Sequence, residues 1–325
     1  MSGTVLVTSR SFGSGELDLV ATLERAGCEV VFGDPHHEAG ALAPALARAD
    51  AWIAGTAPVT AELLDHAPEL RVVARYGVGF DAVDLGAAEE RRIVVTNTPG
   101  ANSASVADLA VALLLGGLRT VAVGDRAVRG GDWSAVRGRE IDGLEVGVAG
   151  FGRIGRLFAE RIHALGARVL AYDPYLSVDE TLPHGYRRAE DVAELAACGA
   201  VSLHAPGGST VVDAAWLGRA DGLALVNTAR ADLVDEDAVA AALRDGRLSS
   251  YSADTLASEA VGASRGALLA DDLAGRVVVT PHLGAQTVQA IDRMGSGAVA
   301  NVLAVLAGET PPNPVTPLPA RKVSS

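Results

Sequence analysis

Aromatic side chains are scarce in this sequence, at 4% of residues, so the core of a 325-residue chain has to be built mainly from Ala, Val and Leu. Cysteine is nearly absent. Cys28 and Cys198 stand far apart with no CxxC or Cys/His spacing near either. This excludes a disulfide framework and a cysteine metal site; two buried, reduced thiols in a cytoplasmic protein are expected, and no metal. Positive charge is in deficit. A formal net charge of −13 argues against nucleic acid and anionic membrane as partners, since both select basic surfaces. The opening Met1-Ser2-Gly3-Thr4-Val5 lacks the basic and apolar regions of a signal peptide. The longest apolar stretch, Val106 to Leu118, is interrupted by Asp108 and is too short to span a bilayer. What is present in quantity, 49% hydrophobic residues and 37 glycines, suits an α/β enzyme with room for two domains.

Along the chain, short β-branched runs alternate with helical stretches. Strands are predicted at Thr4–Thr8, Cys28–Phe32, Ala51–Ala54, Arg71–Arg75 and Ile93–Thr96. Helices are predicted between them, the first over Glu16–Ala26 with Ser14 as its cap. Such alternation implies a parallel sheet covered on both faces. Ser103–Leu118 is apolar on nearly every face and predicts a buried helix where domains or subunits meet. Asp125–Gly143 reads as charged and irregular, with Trp133 packing inward. Trp216 is also read as packing. A last helix is predicted over Thr287–Leu306, followed by an extended, proline-rich tail.

The most informative stretch is Leu144 to Pro174. A strand (Glu145–Ala149) runs into Gly150-Phe151-Gly152-Arg153-Ile154-Gly155, then a helix, then a second strand (Ala167–Tyr172) ending at Asp173. Gly150 permits the turn, Gly152 lets backbone approach a pyrophosphate, and Gly155 allows close packing of helix on strand. The helix N-terminus offers free N–H groups to phosphate. Asp173 can accept both ribose hydroxyls and would repel a 2′-phosphate, so NAD is expected over NADP.

Three later segments each follow a predicted strand, where open α/β sheets bind ligands. They are Asn227-Thr228-Ala229-Arg230, Asp254-Thr255-Leu256-Ala257-Ser258-Glu259 and Thr280-Pro281-His282-Leu283-Gly284. Arg can clamp a carboxylate with two parallel hydrogen bonds. His can exchange a hydroxyl proton while a nicotinamide exchanges hydride, and Glu can hold the imidazole and favour its charged form. His204, ending the predicted strand Ala200–His204, is expected to line the NAD site rather than react. The remaining histidines (His36, His37, His66, His163 and His184) are read as structural.

On these motifs, together with Arg75-Tyr76-Gly77-Val78-Gly79-Phe80-Asp81, Asn97-Thr98-Pro99-Gly100 and Ser105-Val106-Ala107-Asp108, nearly the whole chain resembles the D-2-hydroxyacid dehydrogenase family, in particular its phosphoglycerate dehydrogenase-like branch. The resemblance implies a Rossmann NAD-binding domain (99–285) and a smaller flavodoxin-like α/β substrate-binding domain (1–98 and 286–325). It implies Arg230 as carboxylate clamp, His282 as acid/base and Glu259 as its partner. NAD would be bound by Gly150, Gly152, Arg153, Ile154, Gly155, Asp173, His204, Ala205, Pro206, Thr228, Ala229, Asp254, His282 and Gly284. Arg75 and the backbone of Gly77, Val78 and Gly79 would meet the substrate, a small 2-oxo or 2-hydroxy acid. A homodimer built through the central helix is implied too. Where phosphoglycerate dehydrogenases typically carry Arg and Lys, this sequence has Ala54 and Pro58, which removes two cations a substrate phosphate needs. A non-catalytic NAD(H)-sensing scaffold, as in the corepressor branch of the same family, is the alternative function.

Overall fold

The alternation read from the sequence is what the chain builds. The computed structural model describes residues 3–177, 179–258 and 266–316. It divides into two compact units, Met1–Asn102 with Ala285–Ser325, and Ser103–Gly284. The first unit begins with β1 (Gly3–Val7), α1 (Leu19–Arg25), β2 (Cys28–Phe32), α2 (Ala39–Leu46), β3 (Ala51–Ala54), α3 (Ala61–Asp65), β4 (Val72–Arg75), α4 (Leu85–Glu90) and β5 (Val94–Thr96). The second unit holds α5 (Ser103–Leu118), α6 (Val121–Arg129), β6 (Glu145–Ala149), α7 (Arg153–Ala164), β7 (Arg168–Tyr172), β8 (Arg187–Arg188), β9 (Ala200–Leu203), α8 (Ala214–Leu217), β10 (Leu223–Asn227), α9 (Glu236–Asp245), β11 (Leu248–Ala253) and β12 (Val277–Val279). The chain then returns to the first unit with α10 (Val288–Leu306).

In the first unit five parallel strands run in the order β2-β1-β3-β4-β5, the flavodoxin-like arrangement. Side chains alternate across this sheet. Val5, Val7, Ile53 and Val72 face α1 and α10, while Leu6, Trp52, Val73 and Val95 face α2, α3 and α4. The start of α1 differs from expectation. Asp18 caps it by accepting from the Ala21 N–H, and Ser14 instead donates to the Ser11 carbonyl. The carboxylate lies one residue before the first turn, where its oxygen reaches the free N–H groups. The tail covers the β5 edge, with Pro314 bridged to Thr96 and the Val315 N–H donating to Val95 O at 2.8 Å.

In the second unit seven parallel strands run β12-β11-β10-β9-β6-β7-β8, the doubly wound Rossmann order extended by one strand. Leu170, Val201, Leu225 and Tyr251 pack under α9 and Trp216 on one face. Val148, Val169 and Val226 pack under α5 and α7 on the other. Two expectations fail here. Part of the stretch read as irregular is α6, a helix with no buried residue, and the part of it inside that stretch carries Asp125, Arg126 and Arg129. Trp133 does not pack inward and is 81% exposed. The burial of α5 is one-sided within this unit: Ala107, Ala110 and Leu114 are buried, whereas Asp108 and Ala112 are exposed. No single helix among the described residues is long and apolar enough to cross a membrane.

Candidate active site

Because all strands of the larger sheet are parallel, their carboxyl ends lie along one edge, and the segments singled out in the sequence follow those ends strand by strand. Asp173 follows β7, the glycine turn β6, His204-Ala205-Pro206 β9, Thr228-Ala229-Arg230 β10, Asp254 β11, and Thr280 to Gly284 β12. The order reverses between β6 and β9, which is the switch point where such sheets open a crevice.

The three glycines are there for three different reasons. Gly150 adopts φ +92°, and a Cβ on it would lie 2.6 Å from the Ala205 nitrogen. A Cβ on Gly155 would lie 2.0 Å from the Gly150 carbonyl oxygen, so the first turn of α7 can approach β6 only without one. A Cβ on Gly152 would meet nothing within 4 Å. Neither backbone shape nor protein packing requires glycine there, and the open space leaves room for a ligand to approach the backbone of the turn. Gly152 also caps α7 without any side-chain hydrogen bond to the first turn, leaving its N–H groups for an anion. Arg153 is exposed and Ile154 half-buried in that turn. Asp173 holds the turn itself: Oδ2 accepts the Phe151 N–H at 2.8 Å and Oδ1 the Tyr175 N–H at 2.9 Å, and each oxygen keeps a lone pair. The Thr228 hydroxyl is buried and has no hydrogen-bond partner among the described residues. Open cradle, uncapped helix, carboxylate and orphaned hydroxyl together fit a dinucleotide.

His204 packs its ring on Phe158, with centroids 4.9 Å apart, and its Nε2 lies 3.0 Å from Ser202 Oγ. Desolvation pulls its pKa down to about 3, so this imidazole is neutral. Asn227 shapes the arginine segment, accepting the Ala229 N–H at 3.0 Å and donating to the Arg230 carbonyl at 2.8 Å. Arg230 is exposed and its Nη1 donates to the Ala229 carbonyl at 3.0 Å. His282 is exposed as well and sits at φ 54°, a left-handed conformation that costs a residue with a Cβ about 1–2 kcal/mol. Arg230 and His282 follow β10 and β12, two strands apart, which at ordinary strand spacing is about 10 Å. Glu259 lies outside the described residues.

Asp254 is 2% exposed. Its carboxylate accepts the Thr280 hydroxyl, the Leu283 N–H at 2.7 Å and the Gly284 N–H at 2.8 Å. Three further residues that the sequence reading left out of the site also fasten its loops. Ser105 Oγ donates to the Gly284 carbonyl at 2.6 Å, Asp232 accepts the Gly208 N–H at 2.7 Å, and Glu236 accepts the Ala257 N–H at 2.7 Å. Asp232 and Glu236 lie just after Arg230 in sequence, but the loops they fasten come from other strands, so neither partnership shows as a spacing.

In the first unit, Arg75 is buried at the end of β4. Its guanidinium donates to Gly79 O at 3.3 Å, Ala57 O at 3.1 Å and Thr56 O at 3.2 Å, tying the Gly77-Val78-Gly79 loop to the turn after β3. Burial lowers its pKa to about 10, which still leaves it cationic at neutral pH. Gly77 has φ +138°. Ala54 is fully buried. The Pro58 carbonyl lies 2.8 Å from Nδ1 of the buried His37. The Nε2 of His37 also lies 2.7 Å from Thr8 Oγ1, a structural role as read from the sequence.

Comparison with known proteins identifies the family of the chain. Residues 111–284 match the family described as D-isomer specific 2-hydroxyacid dehydrogenase, NAD binding domain. The chain is 41% identical over 281 residues to the D-3-phosphoglycerate dehydrogenase of Mycobacterium leprae, covering 84% of this chain and 52% of that protein. It thus spans about half the length of the curated relatives of that kind that it matches. It is 34% identical over 268 residues to the glyoxylate reductase of Korarchaeum cryptofilum, covering 79% of this chain and 80% of the other. The crystal structure of the TT0316 protein from Thermus thermophilus superposes with a TM-score of 0.85 at 35% identity, over 96% of this chain and all of that one. The chain belongs to the D-isomer specific 2-hydroxyacid dehydrogenase family and carries that family's NAD-binding domain.

Proposed function

We propose that this chain interconverts a small 2-oxo acid and the corresponding D-2-hydroxy acid with NAD as the cofactor, Arg230 binding the substrate carboxylate and His282 exchanging the hydroxyl proton. The observation that carries the reading is the placing of a guanidinium and an imidazole, both exposed, on the same sheet edge as the open glycine cradle. Bound there, NAD supplies or accepts hydride. The chain's own residues supply the rest. The free N–H groups of α7 hold the pyrophosphate, and Asp173 holds the adenosine ribose. Arg230 fixes the acid by its carboxylate, which turns the carbonyl toward His282. In the reducing direction His282 gives a proton to the carbonyl oxygen; in the oxidising direction it removes the hydroxyl proton. Glu259 is the proposed partner of His282, and Asp254 and Gly284, besides fastening the histidine turn, border the nicotinamide end.

Arg75 acts in this reading through the loop it fastens, so that the Gly77, Val78 and Gly79 backbone is presented to substrate. A phosphorylated substrate is disfavoured because Ala54 and Pro58 bring no charge. We further infer a cytoplasmic homodimer. The exposed apolar side chains Val121, Val128, Trp133 and Val136 form a run around α6 that a second copy would cover.

The test is NADH oxidation by purified protein across glyoxylate, hydroxypyruvate, pyruvate, phosphohydroxypyruvate and phosphonopyruvate. Turnover of one or more unphosphorylated acids is the expected result. Tight NADH binding with no turnover of any would contradict the enzyme reading and favour a scaffold that senses NAD(H).

A further inference from the structure

His282 is held at φ 54°, a backbone conformation that a Cβ disfavours, and such a shape persists only where its surroundings over-determine it. The turn is gripped at several points, all within the second unit. The Thr280 N–H donates to the Ala253 carbonyl at 2.9 Å, which continues the β11–β12 ladder up to the turn. The buried Asp254 carboxylate takes the Thr280 hydroxyl and the N–H groups of Leu283 and Gly284, bracketing the histidine from both sides. Beyond it, the Gly284 carbonyl accepts a 2.6 Å hydrogen bond from Ser105, a residue 5% exposed in the first turns of α5. Gly284 is thus gripped by its N–H from the strand side and by its carbonyl from the helix side. There is no slack in this grip. A Cβ on Gly284 would lie 3.1 Å from Asp254 Oδ2 and 3.2 Å from Val106 Cγ2.

We propose that Ser105 is a positioning residue for His282: through the Gly284 carbonyl it locks the turn that Asp254 brackets, and so fixes where the imidazole points. Asp254 alone anchors the peptide N–H groups but leaves the Gly284 carbonyl able to rotate. The Ser105 hydroxyl removes that freedom. Without it, the Gly284 carbonyl turns to water, the N–H groups of Leu283 and Gly284 leave Asp254 more often, and His282 samples other backbone conformations, most of which aim the ring elsewhere. The lost quantity is orientation, which acts on turnover far more than on cofactor binding. The proposal rests on the reading of His282 as the acid/base.

The experiment is a double-mutant cycle on Ser105→Ala and His282→Gln, with glyoxylate and NADH as probe, joined to hydrogen exchange of the 280–286 backbone. Ser105→Ala is expected to lower kcat about tenfold, the equivalent of 1.36 kcal/mol in the barrier, with the dissociation constant for NADH within about twofold of wild type. In the His282→Gln background the same change is expected to cost nothing further, because the group it positions is gone. Exchange at Leu283 and Gly284 is expected to quicken about tenfold while the α5 amides stay protected. A Ser105→Ala loss that is equal in both backgrounds, or unchanged exchange at Leu283 and Gly284, would overturn the proposal. Full activity in His282→Gln would instead overturn the acid/base reading, and the exchange measurement then still decides whether Ser105 holds the turn.

Discussion

At the scale of single residues, the glycine turn offers the cleanest separation of folding from binding. Gly152→Ala adds a methyl to open space at an ordinary φ, so its melting temperature should match wild type. Its NADH dissociation constant should rise at least about tenfold, because that space is where a pyrophosphate would lie. Gly155→Ala drives a methyl into the Gly150 carbonyl and should cost about 2 kcal/mol or more of stability. Thermal melts with an NADH titration on each variant check both, and equal losses of stability would contradict the assignment. Arg230→Ala should raise the Michaelis constant for the oxo acid and lower turnover while NADH affinity stays put. Parallel loss of NADH binding would make Arg230 a structural residue. His204 gives a pH prediction. Its folded pKa lies near 3, below that of an unfolded histidine near 6.5, so between these values the unfolded chain binds more protons. Stability from this group is therefore complete above about pH 6.5 and is lost as pH falls toward 3, by at most about 1.4 kcal/mol per pH unit. His204→Asn should flatten that part of the acid-unfolding curve. An unchanged slope in denaturant melts across pH 4–6 would contradict it.

At the scale of elements, what the sequence showed and what it hid divide on physical grounds. Strands buried on both faces, such as β1 (Val5, Leu6, Val7) and β10 (Leu223 to Asn227), are continuous apolar runs, and their positions could be read to within a residue or two. The helix after the glycine turn, α7, was legible for a different reason, apolar residues recurring at helical spacing on the face it packs against the sheet. The helix α6 was hidden because Asp125, Arg126 and Arg129 make its second half read as a charged segment, although its apolar side chains recur at helical spacing. Trp133 misled for a related reason: a large aromatic suggests an interior, but this one is exposed. The residues fastening the site loops, Ser105, Asp232 and Glu236, were hidden because their partners are backbone groups on distant segments. Element α6 also carries the dimer prediction. Val121→Asp with Val128→Asp should halve the mass seen by light scattering without changing the circular dichroism. A wild-type protein that is already a monomer at micromolar concentration would contradict the proposed assembly.

At the scale of the molecule, the chain holds two parallel sheets with different strand orders. The seven-stranded sheet gathers the glycine turn, Asp173, Arg230 and His282 along one edge, and at the end of β4 in the five-stranded sheet Arg75 fastens the Gly77-Val78-Gly79 loop. The central claim is that hydride transfer at the cradle is coupled to a proton moved by His282, and its most direct test is turnover in both directions as a function of pH. Wild-type reduction of the best 2-oxo acid should fall as pH rises, because it consumes a proton from the imidazolium, and oxidation of the hydroxy acid should rise over the same range. His282→Gln should lose about a hundredfold or more in both directions with NADH affinity unchanged, and its residual rate should no longer follow that pH dependence. A His282→Gln enzyme that retains wild-type rates, or the wild-type pH profile, would contradict the account.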